Sequence, residues 1–104
     1  MSFNIDSVIK DMGAAIKSSV KDDVGDIKDY ADEILLNEKE SLKELGAARL
    51  TNQISEAVFK SEIEREKKVV EAELMTISIM TKAAAQRAVN AAINVFVDAV
   101  MKAI

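Results

Sequence analysis

A chain of 104 residues, 49% apolar and 31% charged, suits one small domain spanning 1–104 and is too apolar to stay disordered. With no Cys and no His it excludes disulfides, thiolate metal sites and catalysis through a Ser-His or Cys-His pair. The net charge is −4, and the bases Arg65, Lys67 and Lys68 are interleaved with Glu62, Glu64, Glu66 and Glu71, so nucleic acid is not expected as a partner.

There is no Pro and only 3 Gly, while Ala, Lys and Glu are plentiful, so the predicted class is all-α. The first helix is expected to open at Asn4, a good cap, with Asp6 in the first turn and Phe3 stapled onto Val8. Ile5, Val8, Ile9, Met12, Ile16 and Val20 recur every three or four residues and carry it to about Asp23. Gly25 then has two readings. It ends this helix, with Asp26 capping the next, or it sits inside one long helix whose stripe continues through Ala31, Ile34 and Leu35. The stripe goes on to Leu42 and Leu45, and Gly46 is the expected C-cap and main turn, near the midpoint of the chain.

A further helix is predicted from about Ala48, with Leu50, Ile54, Ala57, Val58, Ser61, Arg65, Val69 and Ala72 roughly on one side. Its charged middle, 60–68, reads as a solvated face. Residues 74–81 (LMTISIMT) carry no charge; they alternate like a strand but have no other strand to pair with, so a helix buried on several sides is expected. In 82–104 the apolar face is broad, and Asn90, Asn94, Asp98 and Lys102 form a narrow polar line opposite it. That helix should be covered on several sides.

The predicted fold is therefore an antiparallel helical bundle or long helical hairpin of three to four helices, completed by oligomerisation. Candidate interface residues are Leu74, Ile77, Ile93, Phe96, Val97, Val100, Met101 and Ile104. The expected function is that of a structural or protein-interaction module. Its partner would be itself, as a dimer, or another helical protein. The alternative is a membrane-active or leaderless secreted helical protein acting through 82–104, which has few cations for an interfacial helix. No secretory signal is visible, so the cytoplasm is the default compartment.

Positive signs of chemistry are few. Ser78 and Lys82 stand one turn apart, but the lysine stem is better placed to cover apolar surface. Glu62, Glu66 and Glu73 lack the His that a bundle metal site usually adds, and Asp22, Asp23, Asp26 and Asp29 lack a calcium-loop pattern. The glycines Gly13, Gly25 and Gly46 are isolated and make no phosphate loop. No metal, cofactor or enzymatic activity is expected.

Overall fold

The computed structural model describes residues 3–19, 25–77 and 81–104, without the side chains of 25–29 and 77. Four helices follow one another: α1 (Ile5–Ser19), α2 (Gly25–Leu50), α3 (Glu56–Ile77) and α4 (Lys82–Ala103). Among the described residues there is no strand. The first arm thus supplies two helices, α1 and α2, that pack on each other. α2 already includes Gly25 and Asp26, so Asp26 lies within the helix and not before it as the expected cap; its side chain and residues 20–24 lie outside the described residues.

Three helix starts have visible causes. Asn4 Oδ1 accepts the backbone N–H of Asp6 at 3.0 Å and of Ser7 at 3.2 Å, satisfying two donors that α1 cannot bond internally. Ser55 Oγ accepts Val58 N–H at 3.2 Å at the head of α3, and Thr81 Oγ1 accepts Ala84 N–H at 3.1 Å at the head of α4.

The main turn is not at Gly46. It lies at 51–55, and Gly46 is buried inside α2. Asn52 takes the left-handed conformation (φ 59°) that ends the helix. Gln53 N–H donates to Ala48 O at 2.8 Å and Asn52 N–H to Arg49 O at 3.2 Å, the paired bonds of a Schellman stop. Gly46 is small for another reason. A Cβ there would stand 2.5 Å from Phe3 Cε1. Phe3 thus reaches across the bundle and also meets Phe96 edge-on, centroids 6.0 Å apart.

The helices form an antiparallel ring in which α1 packs on α2 and α4, and α3 packs on the same two. The closest association is α1 with α4. Ala85, Ala88 and Ala92 are buried on α4, and small side chains there let helices approach. Between the helices lie Met12, Ile16, Ile34, Leu35, Leu42, Val70, Leu74, Ile93, Phe96 and Val100, all fully buried. The expected polar line of α4, Asn90, Asn94, Asp98 and Lys102, is exposed throughout. One chain supplies all four helices, and its radius of gyration, 13.3 Å, matches the roughly 13 Å of a domain of about 100 residues.

Two sequence expectations shift. The buried side of α3 is Phe59, Ile63, Glu66, Val70 and Leu74, at steps of four, three, four and four. Val58, Arg65, Val69 and Ala72, expected together on one side, are exposed. The larger Phe, Ile and Leu side chains win the inner face even though it must then carry Glu66. The described start of the uncharged stretch, 74–76, is also less buried than expected. Leu74 is internal, but Met75 is 44% exposed and Thr76 Oγ1 merely donates back to Ala72 O at 2.8 Å. Residues 78–80, including Ser78, lie outside the described residues.

Candidate functional site

A largely apolar concavity lies between the first half of α3 and the last turns of α4, where the antiparallel pairing brings them side by side. Phe59 and Ile63 come from α3, Val97 and Met101 from α4, each pair one turn apart. The volume is about 340 Å³. The Ser55 cap fixes where α3 begins and so the height of Phe59. That ring stacks on Phe96, centroids 6.3 Å apart, which ties the lining to the core.

The rim carries both signs of charge: Arg49 and Lys60, Glu56 and Glu64. Lys60 Nζ lies 3.6 Å from Glu56 Oε1 with both side chains largely exposed, so this pair is weak and free to exchange partners. Arg49 points NH1 at Asn52 Oδ1 across a long 3.4 Å, and its buried Nε meets no acceptor.

The sequence-derived interface residues divide between core and surface. Leu74, Ile93, Phe96 and Val100 are fully buried within the single chain. Val97 is half-buried and lines the concavity. Met101 is 52% exposed beside it and Ile104 65% exposed at the C-terminal end of α4. Ile77 ends α3, and its side chain lies outside the described residues. Among those described, Val97, Met101 and Ile104 are the ones that offer surface to another molecule. Sequence reasoning missed Phe59 and Ile63, although their four-residue spacing beside the charged run was the available sign.

A second cluster of functional groups lies on the α2–α3 seam. Glu66 is 6% exposed, its Oε1 accepts the Ser41 hydroxyl, and its Oε2 is buried without a donor. Glu38 of α2 and Glu73 of α3 are both held above the usual glutamate range. Burial is the larger cause in each, followed by repulsion from Glu73 and then Glu66 at Glu38, and from Glu66 at Glu73. On the other side of α2 the charges attract. Lys17 Nζ meets Asp32 Oδ2 at 3.0 Å, and Lys39 pairs with Asp6. Lys39 donates to Asp6 and lowers its carboxyl; the same bond raises the Lys39 ammonium.

Among the described residues no group of three or more acidic side chains is arranged to hold a metal ion. The run Asp22 and Asp23 lies outside them, as do the side chains of Asp26 and Asp29. No described helix is long and apolar enough to cross a membrane. Comparison with protein-family models, with curated proteins and with solved structures found no match.

Proposed function

We propose that this protein is a non-catalytic interaction module that pairs with a second copy of itself through the α3–α4 concavity. The observation that carries this reading is the coincidence of an apolar hollow with a half-exposed methionine at its edge. Each copy offers both a recess and a flexible apolar side chain to fill one, which is what a two-fold interface requires. The mixed rim supports the same occupant. Lys60 and Arg49 of one copy can meet Glu56 and Glu64 of the other, whereas a strongly charged partner would meet like charge somewhere on this rim.

Light scattering across a dilution series, on wild type and on Met101→Lys, tests the proposal. The expected result is a dimer that dissociates on dilution and a variant that is monomeric with unchanged helicity. A wild type that stays monomeric at high concentration overturns it. Sedimentation with anionic vesicles checks the membrane alternative. Binding that Met101→Lys abolishes, in a protein that is otherwise monomeric, would move the apolar face from self-association to a lipid surface.

A further inference from the structure

The opposite side of α3 carries a different kind of hollow, about 290 Å³, along its seam with α2. Val58, Glu62 and Glu66 line it from α3 at one-turn steps. Ser41 and Glu44 face them from α2, and Ile54 enters from the connecting turn. No Lys or Arg lines this hollow. Arg65 NH1 lies 3.5 Å from Glu62 Oε2, but its side chain is 74% exposed.

Glu66 is the unusual member. Its carboxylate is more than nine-tenths buried, one oxygen is held by the Ser41 hydroxyl, and the other has no donor. A buried carboxylate oxygen left in this way is costly, and a cation or N–H group that reaches it recovers the cost. Alongside it, Val58 leaves 46% of its surface uncovered and Ile54 is only partly buried. An unsatisfied acid and an exposed apolar strip thus run side by side.

We propose that this α2–α3 groove receives a basic amphipathic helix from a partner protein. An apolar side chain of that helix would lie on Val58 and Ile54. A Lys or Arg about a turn away would reach Glu66 past the exposed Ser41, with Glu44 and Glu62 flanking it. The charge of the groove selects the occupant: three carboxylates and no cation line it, so a second copy of this acidic chain is a poor fit here. The surface is separate from the one assigned to self-association, because it uses a different face of α3.

A synthetic helical peptide of alternating Leu and Lys turns, titrated into isotope-labelled full-length protein and followed by NMR shifts, provides the test. Its control is a peptide of equal charge with Ser in place of Leu. Shifts should centre on Ser41, Glu44, Val58 and Glu62, and the control should bind far more weakly. Glu66→Gln and Glu44→Gln should each weaken binding, the former by about tenfold or more. Glu33→Gln, on an exposed part of α2, should leave it unchanged. Equal binding by wild type, Glu66→Gln and Glu44→Gln overturns the proposal. So does equal binding of the Leu-free control, or shifts centred on Val97 and Met101. Glu44 is exposed, so its variant keeps the test valid if Glu66→Gln perturbs the fold.

Discussion

Asn52 is the one non-glycine residue of the described chain with positive φ, and the end of α2 depends on it. The left-handed conformation costs an ordinary L-residue about 1–2 kcal/mol, less for Asn and nothing for Gly. Asn52→Gly is therefore expected to raise stability by roughly 0.5–1 kcal/mol and Asn52→Ala to lower it by about 1 kcal/mol, read from urea midpoints. The bond lost from Arg49 is long and exposed, so it does not reverse the sign for Gly. Gly46 presents the complementary case. Ala there gains about 1 kcal/mol in helix propensity but drives the Phe3 ring off its seat on Phe96. Gly46→Ala should thus stabilise a Phe3→Ala background by about 1 kcal/mol and wild type by clearly less. Sequence alone misplaced the turn for the same reason. A glycine signals either a left-handed stop or a close approach, and at Gly46 the second cause is Phe3, far away along the chain. Asn4 was legible because its cap partners, Asp6 and Ser7, are its immediate neighbours.

Between elements, the two seams of α2 respond to pH in opposite senses. On the α1 side, Asp6 is lowered by Lys39, so its contribution is present above the ordinary aspartate value and is lost as pH falls through the lowered one. On the α3 side, Glu38 and Glu73 are raised. Between the ordinary and the raised values the folded chain holds more protons than the unfolded chain, so stability falls as pH rises through that window. Maximum stability should therefore lie on the acid side of neutrality, and urea midpoints should rise as pH falls through the window between the raised and the ordinary glutamate values. The isoelectric point of about 4.8 also favours this range by reducing overall repulsion, so the variants must isolate the seam. Glu73→Gln is expected to raise the midpoint at pH 7 and to flatten the profile. A profile unchanged by Glu73→Gln would mean that these carboxylates do not act on one another. Little of this seam was legible. The inner face of α3 contains Glu66, and an acid on an apolar stripe makes the stripe look like its neighbour, one residue out of phase. In α1 and α4 no acid interrupts the buried stripe: Ile5, Val8, Ile9, Met12 and Ile16 are buried as their spacing predicts, as are Val89, Ile93, Phe96 and Val100, whereas Met101 and Ile104 of the same expected face are exposed.

At the scale of the whole molecule, closure and association separate. The broad face of α4 argued for a second chain because a two-armed hairpin would leave it bare. The first arm supplies two helices, and α1 covers that face from within. What remains of that face for a partner is peripheral: Val97, Met101 and Ile104, at the edge of the buried core. Two substitutions on one helix should therefore behave differently. Phe96 is fully buried between Phe3 and Phe59, so Phe96→Ala should lose about 3–5 kcal/mol and fail at far lower urea, whatever the concentration. Met101→Lys should abolish the dimer and leave the unfolding midpoint of the dilute protein where it was. Wild type should gain stability with concentration only as far as mass action through a weak dimer allows, and Met101→Lys should show no such dependence. If instead wild type unfolds on dilution, the partner is part of the core, and one chain does not hold the four helices together unaided.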